Sequence, residues 1–435
     1  MSKIRIKNFG AIKNGYAENG GWLDIKKVTI FIGNQGSGKS TIAKLISTFT
    51  WIEKALVRGD YNKKWFAKKN KLQNNFLGYH RLENYFSNNA DIQTEIEYEG
   101  NAFNIKYKDN TLIISEIENK EYHLPQIMYV PAERNFISNV KNPKSLKLIS
   151  SSLMEFLTEF ENAKNAIKGA ISLPINNVTL EYDKLNDIIN IKGTDKDNHY
   201  KVRLNEASSG FQSVVPLYLV SQYLSDMVKE QENNEENKQK SIKSMSGEEL
   251  ERFKKSVAAI FKNENLTDEQ RSAALSVLSA KFNKTAFINI VEEPEQNLFP
   301  TSQWQMLKSL LEFNNRSKKN KLIMTTHSPY IINYLTLAVK AYNVSEKIKN
   351  LASTNIREEK EKKEQLRKDL EKIVPHNSMV NPSEWVIYEL DEKNGTIKKL
   401  ENYKGLPSDD NYLNDGMNTS NELFTNLLEI EDLCQ

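Results

Sequence analysis

A short glycine-rich run near the N-terminus carries residue types that bind phosphate. It follows an apolar stretch at residues 28–32 and precedes a helical pattern at residues 42–46. Glycines tolerate positive φ, and the amides that open a helix donate to anions. In such a strand–turn–helix context Lys39 can reach the β- and γ-phosphates of a nucleotide, and the Ser40 hydroxyl can hold Mg²⁺. The flanking strand and helix argue against a chance Gly/Ser loop. The residues expected to bind a nucleoside triphosphate are Gly33, Asn34, Gln35, Gly36, Ser37, Gly38, Lys39, Ser40 and Thr41.

Two adjacent carboxylates, Glu292 and Glu293, follow a second apolar stretch at residues 287–291. They would lie at the carboxyl end of a buried strand, where ligands gather in open α/β sheets. In phosphoryl transfer one carboxylate can orient the Mg²⁺ shell while its neighbour polarises the attacking water. We assign Glu292 to the metal and Glu293 to the water. This requires the strand to end near Glu292, because successive strand residues point to opposite faces. The alternative is an acidic turn after a core strand.

A histidine follows a third apolar stretch, which leads through Thr325 and Thr326 to His327. A histidine at the end of a strand can hydrogen-bond a γ-phosphate and sense its loss. A lone histidine in this position can equally be structural, because imidazole packs and hydrogen-bonds in many settings.

A second candidate anion site opens the apolar helix predicted from residue 214. Ser208, Ser209 and Gly210 place two hydroxyls and a glycine at a helix start, and Gln212 follows them. A chain with its own phosphate loop does not need a second site for the same nucleotide. We therefore expect this segment to complete the nucleotide pocket of another copy of the molecule, although Ser-Ser-Gly by itself is a weak signal.

These segments require a sheet whose strands end at a common edge. Alternating apolar residues predict an N-terminal strand at residues 3–9, a β-meander at 93–130 and hairpins at 178–191 and 385–400. Helical patterns appear near residues 153–167 and 421–430. Residues 226–284 are polar and rich in helix-start signals, which indicates a helical insertion.

A basic and aromatic stretch spans residues 54–71 and could face nucleic acid, with aromatic rings available for stacking. The alternative is a solvated helical face with core aromatics. A second charge-dense run, residues 357–372, has too short an apolar stripe for a long coiled coil, so we expect an ordinary surface helix.

Composition sets broad limits. Hydrophobic residues make up 39% of the 435 residues, charged residues 27%, and the net charge is +3, which gives no global polyanion-binding signal. Cys434 is the only cysteine, which excludes disulfides within one chain. No signal-peptide core and no apolar run of membrane-spanning length is evident. We expect a cytoplasmic protein without membrane association.

The order of these motifs resembles the heads of ATP-binding-cassette ATPases. It runs from the phosphate loop through Ser-Ser-Gly-Phe-Gln to the strand with Glu-Glu-Pro and then Thr-His-Ser-Pro. The resemblance is to the soluble branch with chromosome-structure (SMC-type) and DNA-repair ATPases, and most closely to the OLD-like ATPases of bacterial antiphage defence. It covers residues 1 to about 340. It implies an α/β ABC-type P-loop ATPase head with a mixed sheet, an antiparallel β-subdomain and helical insertions.

On this resemblance we divide the chain into four parts. Residues 1–225 form the N-terminal part of the head, with the meander and the Ser-Ser-Gly motif. Residues 226–284 are the helical insertion, 285–340 the C-terminal part of the head, and 341–435 the C-terminal helices and hairpin.

The resemblance also implies a mechanism. Two heads would dimerise head to tail around ATP and Mg²⁺, with Lys39 and Ser40 of one copy facing Ser208–Gly210 of the other. Glu293 would be the catalytic carboxylate and His327 the γ-phosphate switch. Two departures stand out: Glu292 replaces the aspartate usual in transporters, and Glu133 and Arg134 stand where a metal-contacting glutamine would be expected. The role of these last two residues stays open.

Three functions fit this head. The first is an antiphage ATPase switch that forms a homo-oligomer and controls a separate effector such as a Toprim-type nuclease, because little chain remains for an effector domain. The alternative is a DNA-repair or chromosome-type ATPase that binds DNA directly. A transporter subunit is disfavoured by the missing glutamine.

Overall fold

The computed structural model describes residues 2–87, 89, 92–118, 121–139, 150–194, 200–233, 247–262, 278, 282–351 and 357–432. The described strands are β1 (Lys3–Lys7), β2 (Gly15–Tyr16), β3 (Leu23–Asp24), β4 (Val28–Gly33), β5 (Glu95–Glu99), β6 (Phe103–Lys108), β7 (Thr111–Glu116), β8 (Pro125–Val130), β9 (Ile171–Ser172), β10 (Val178–Asp183), β11 (Ile188–Gly193), β12 (Lys201–Arg203), β13 (Ala286–Glu292), β14 (Lys321–Thr326), β15 (Trp385–Asp391), β16 (Thr396–Lys399), β17 (Asn402–Tyr403) and β18 (Leu406–Pro407).

The described α-helices are α1 (Lys39–Arg58), α2 (Lys63–Phe66), α3 (Ser151–Ala166), α4 (Ser209–Asn233), α5 (Gly247–Lys262), α6 (Pro300–Asn315), α7 (Pro329–Lys349), α8 (Arg357–Ile373) and α9 (Tyr412–Asp432). A π-helical turn, Leu72–Leu77, runs directly into the 3-10 turn Gly78–His80, and another 3-10 segment spans Ala132–Asn139.

A seven-stranded sheet lies at the centre, in the order β2-β16-β15-β4-β14-β13-β8. Strands β15, β4, β14, β13 and β8 are parallel neighbours, so their carboxyl ends meet at one edge. Strand β4 lies between β14 and β15, which come from the last third of the chain. The central sheet is therefore assembled from both ends of the sequence.

The described residues form three further sheets, all antiparallel, of which the smallest is the pair β17-β18. The meander predicted at 93–130 is correct for β5, β6 and β7, which pair with the N-terminal strands in the order β3-β1-β5-β6-β7. It is wrong for β8, which pairs in parallel with β13 in the central sheet. A smaller sheet has the order β12-β11-β10-β9. The predicted mixed α/β fold with an antiparallel β-subdomain is confirmed. The predicted insertion at 226–284 lies only partly within the described residues, where α4 continues to Asn233 and Gly247–Lys262 forms α5.

The central strands bury both faces, because alternate residues enter two hydrophobic cores. Ile30 and Ile32 pack on the side of α3, α4, α6 and α7, whereas Phe31 packs with α1 and the five-stranded sheet. The C-terminal helix begins at Tyr412 rather than near Asn421, because the Asn411 side chain accepts from the amides of Leu413 and Asn414 and caps it.

Candidate active site

The glycine-rich loop joins β4 directly to α1, as the sequence predicted. Gly33 has φ 142°, and a Cβ there would lie 2.4 Å from the carbonyl oxygen of Leu390. Gly38 has φ 103°, and its Cβ would lie 3.0 Å from Ile12 Cγ1. Both positions therefore require glycine. The middle of the loop, residues 34–36, is exposed, and the buried Ser37 Oγ has no hydrogen-bond partner.

Lys39 is turned into its own loop. Its Nζ donates to the carbonyl oxygens of Gly33 and Asn34, each at 2.7 Å. Burial lowers the pKa of Lys39, and the carboxylates of Glu293 and Glu295 act in the opposite direction. The ammonium therefore occupies the concave side of the loop through hydrogen bonds that a phosphate could replace.

The paired carboxylates follow β13, which ends at Glu292 as the assignment of two roles requires. Glu292 is buried; its Oε2 accepts from the Ala132 amide at 3.2 Å, and its Oε1 has no hydrogen-bond partner. Glu293 adopts φ 45°, and about a third of its side chain is exposed. The turn therefore separates the two side chains, one held inside and one facing outward.

His327 lies beside Glu293, because β13 and β14 are parallel neighbours. Its Nδ1 is 3.6 Å from Glu293 Oε1 and 3.9 Å from Glu295 Oε1. The structure thus brings together two residues that the sequence places 34 positions apart.

Glu295 is a residue that sequence reasoning missed. It is buried, and its Oε1 accepts from Thr326 Oγ1 at 2.8 Å and from the His327 amide at 3.0 Å. Burial raises the pKa of Glu295. The sequence feature that could have identified Glu295 is its position as a third acidic residue directly after Glu-Glu-Pro. The contact fixes the backbone that carries His327.

Arg134, whose role the sequence left open, is completely buried and reaches three segments. Its guanidinium donates to the carbonyl oxygens of Glu292 at 2.7 Å and Glu293 at 2.6 Å. It also donates to the carbonyl of Ser213 on α4, at 3.2 Å, and to that of Pro131, at 3.4 Å. Burial lowers the pKa of Arg134 to about 10, so it remains charged at neutral pH. One side chain therefore connects the acidic turn to the helix of the Ser-Ser-Gly motif.

The Ser-Ser-Gly segment opens α4, with Ser208 and Ser209 exposed. A Cβ on Gly210 would lie 2.9 Å from the carbonyl oxygen of Asn297, so this segment packs closely against the turn after the carboxylates. Gln212 Nε2 donates to the carbonyl oxygen of Ala207 at 2.9 Å. Within the described part of the chain, no hydrogen bond or ion pair joins Ser208 or Ser209 to the phosphate loop.

The aromatic rings of the basic stretch pack against each other. Trp65 stacks on Tyr61 with ring centroids 3.9 Å apart, and Phe66 is buried beneath them. Lys71 lies over the Trp65 ring at 4.0 Å. The exposed basic residues of this stretch are Lys64, Lys68 and Lys69. No helix among the described residues combines the length and apolar character needed to cross a membrane.

Residues 1–332 match the model of the AAA ATPase domain family. No curated protein sequence matches the chain. Among solved structures it is similar to an SMC head domain from Thermotoga maritima, with 13% identity, a TM-score of 0.32, and coverage of 76% of this chain and 90% of that chain.

A second similar structure is the Smc head domain with an extended coiled coil from Pyrococcus furiosus, bound to the C-terminal domain of ScpA. It has 12% identity and a TM-score of 0.33, over 97% of this chain and 100% of that chain. A third is a dimeric ATP-binding cassette in a post-hydrolysis state with ADP and Pi, with 12% identity and a TM-score of 0.23, over 93% and 100%.

The family match spans the phosphate loop, the Ser-Ser-Gly segment, the paired carboxylates and His327, and it ends within the first turn of α7. The chain therefore belongs to the AAA ATPase domain family, and it is an ATPase with a P-loop.

Proposed function

We propose that this ATPase is a switch in which two copies enclose ATP and control a separately encoded effector of antiphage defence. The observation that carries the proposal is the meeting of Glu293 and His327 at the sheet edge that also holds Lys39. Ser208 and Ser209 are exposed at the start of α4, where a second copy can reach them.

In the proposed reaction, Lys39 leaves the carbonyls of Gly33 and Asn34 and binds the β- and γ-phosphates of ATP. The Ser40 hydroxyl and Glu292 would hold Mg²⁺, which neutralises phosphate charge when bound. The unpartnered, buried Oε1 of Glu292 supports this assignment, because a buried carboxylate oxygen requires a donor or a cation.

Glu293 takes a proton from water as the water oxygen attacks the γ-phosphorus, and the bond from phosphorus to the ADP oxygen breaks with its electron pair going to ADP. His327 donates a hydrogen bond to a γ-phosphate oxygen and loses this partner after hydrolysis. Arg134 and Glu295 position these two groups through the backbone.

Replacing Glu293 by glutamine tests this assignment. Glu293→Gln retains the side-chain shape but cannot accept the proton, so we expect ATP binding to persist, hydrolysis to stop and an ATP-bound dimer to accumulate. Turnover by phosphate release and mass by light scattering measure both effects. Glu401→Gln, which changes an exposed carboxylate outside the site, is the matched control. Wild-type turnover by Glu293→Gln would exclude Glu293 as the base.

A mixing experiment tests whether the pocket is shared. Lys39→Ala and Ser209→Arg should each be inactive alone, because each lacks one half of every pocket. In a head-to-tail dimer, mixing them creates one pocket with an intact Lys39 and an intact Ser209. We expect ATP binding at one site per mixed dimer. Absence of such binding, with mixed dimers verified by native mass spectrometry, would contradict the shared pocket.

The finer identity that we propose is the ATPase subunit of the PARIS defence system, with a Toprim-type nuclease as the effector. It rests on the motif resemblance. Co-expression with the neighbouring gene product tests it: an ATP-dependent complex with a Toprim-type protein is expected, and a permease as the neighbour would overturn it.

Direct DNA binding is the second candidate, favoured by the exposed Lys64, Lys68 and Lys69. It predicts salt-dependent binding of duplex DNA that is lost when these lysines are changed to glutamate. Unchanged binding in that variant would exclude this surface.

A further inference from the structure

A partly open cavity of about 550 Å³ lies behind the edge strand β8, away from the phosphate loop. Its walls are the distal half of α1, the turn from Leu72 to His80, and parts of α3 and α5. The volume falls within the range of small-molecule sites. Along α1, its nearest wall residue, Ser47, is about 12 Å from Lys39, at about 1.5 Å of rise per residue. The proposed ATP site does not explain this cavity.

Two side chains in the wall have polar atoms without partners. Gln126 is 5% exposed and His80 2% exposed, and neither Gln126 Oε1 nor His80 Nδ1 has a hydrogen-bond partner. Burial lowers the pKa of His80 to about 3, so the imidazole is neutral at physiological pH. Buried polar atoms are normally paired in native proteins. A ligand in the cavity could supply both missing hydrogen bonds.

The far end of the cavity is cationic. Lys54, Arg58 and Lys284 are each less than a tenth exposed and line it together with Arg252. Among the described lining side chains, Glu155 and Glu159 oppose these four cations, and Asp60 contacts both Arg58 and Arg252. Basic side chains gathered at one end of a cavity suit an anionic group such as a phosphate.

One side of the cavity is lined by aromatic rings. Trp51 and Phe76 lie against each other with centroids 5.5 Å apart, and Tyr79 also lines the cavity. Aromatic faces of this kind stack on nucleobases of any sequence.

We propose that this cavity binds a nucleoside monophosphate. The base lies against Trp51 and Phe76 and hydrogen-bonds Gln126 and His80, while the phosphate meets Lys54 and Arg58. Tyr129, which also lines the cavity, interacts electrostatically with Glu292. A ligand in the cavity would therefore lie beside Tyr129, which is close to Glu292 of the acidic turn, and it would not contact ATP.

Calorimetric titration with AMP and GMP tests the proposal in the full-length chain. We expect saturable binding of one molecule per chain, with the same affinity in wild type and in Lys39→Ala. Adenosine and ribose 5-phosphate should each bind at least tenfold more weakly, since each lacks one half of the recognised group. Loss of AMP binding in Lys39→Ala would place AMP in the phosphate loop and overturn the proposal, as would no saturable binding up to millimolar concentrations. Because the cavity site does not use Lys39, failure of the ATP mechanism leaves this outcome unaffected.

Two substitutions locate the site. Lys54→Met and Gln126→Leu should each weaken AMP binding by about tenfold or more, because each removes a buried polar contact. Lys68→Met, which changes an exposed lysine of the same basic stretch, is the control and should have no effect. Equal affinity in all three variants would refute the location.

Photocrosslinking of wild-type protein with 8-azido-AMP needs no substitution and covers the case in which a variant does not fold. The expected adducts, mapped by mass spectrometry, are on Trp51, Phe76 or Tyr79. Adducts confined to other residues would refute the proposal.

Discussion

Changing Arg134 to lysine should slow hydrolysis far more than it weakens nucleotide binding. Arg134 holds the backbone of the acidic turn through the carbonyl oxygens of Glu292 and Glu293, and it ties that turn to α4 through Ser213. Lysine keeps the positive charge, but it replaces the planar guanidinium, which donates in several fixed directions, by a single ammonium at the end of a flexible chain. It cannot reach all three carbonyls at once.

The size of the effect follows from these contacts. A hydrogen bond to a charged group contributes about 1.5–3 kcal/mol. If lysine keeps one of the two short bonds and loses the other, Arg134→Lys should lower the free energy of unfolding by about 1.5–3 kcal/mol. A misplacement of about 1 Å in a catalytic group can cost about 100-fold in rate, so we expect kcat to fall by about that factor. The Kd for nucleotide should change by less than about threefold, because Arg134 lies outside the phosphate loop.

Three measurements separate a positioning role from a purely structural one: kcat and KM for ATP, nucleotide Kd, and urea unfolding. Arg316→Lys makes the same exchange at an arginine that pairs with Asp226 and Glu312, so its kcat should be unchanged. If Arg134→Lys keeps kcat within about threefold while its stability falls, Arg134 serves only the fold and the reasoning is refuted.

Three further predictions follow from single contacts. Lys39→Ala should abolish tight nucleotide binding in a fluorescence titration, and wild-type affinity would contradict its assigned role. Stability should fall by about 1.4 kcal/mol per pH unit below pH 6.5 and down to about pH 3, because the unfolded chain protonates His80 while the fold holds it neutral. Urea unfolding of wild type and His80→Gln across this range measures the difference, and identical pH profiles would contradict it. In Gly100→Ala the new Cβ would clash with the Glu53 carboxylate, which is buried and accepts hydrogen bonds from the amides of Ala102 and Phe103. Displacing it breaks these bonds, so the urea midpoint should fall, whereas Gly416→Ala, with open space around it, should not lower the midpoint. Equal midpoints would contradict the clash.

The sequence predicted those parts of the site that are formed by residues adjacent to one another in the chain. A strand, glycines at fixed offsets and a helix define the phosphate loop, so Gly33 and Gly38 could be located without knowing the partners of either. The end of β13 at Glu292 follows from the change from apolar to acidic residues. The mixed fold follows from the alternation of periods 2 and 3.6 along the chain.

The remaining parts depend on contacts between distant segments, which periodicity does not encode. Arg134 could not be assigned because most of its acceptors are main-chain carbonyls on two distant segments, the acidic turn and α4. Glu295 looks like one more acid in a turn, and only the pairing of β13 with β14 brings it to Thr326. The cavity is likewise built from segments between residues 47 and 284.

The position of β4 has a consequence for synthesis on the ribosome. The strand that carries the phosphate loop emerges early, yet both of its neighbours in the sheet, β14 and β15, are made about 300 or more residues later. Until then β4 is an apolar strand with two unpaired edges, which is a hazard for aggregation and a natural target for chaperones. The carbonyl of Leu390, against which Gly33 packs, arrives last. A nascent chain therefore gains its nucleotide pocket only after β15 has been made, and ATP binding during synthesis would report that β4 has paired with β14 and β15.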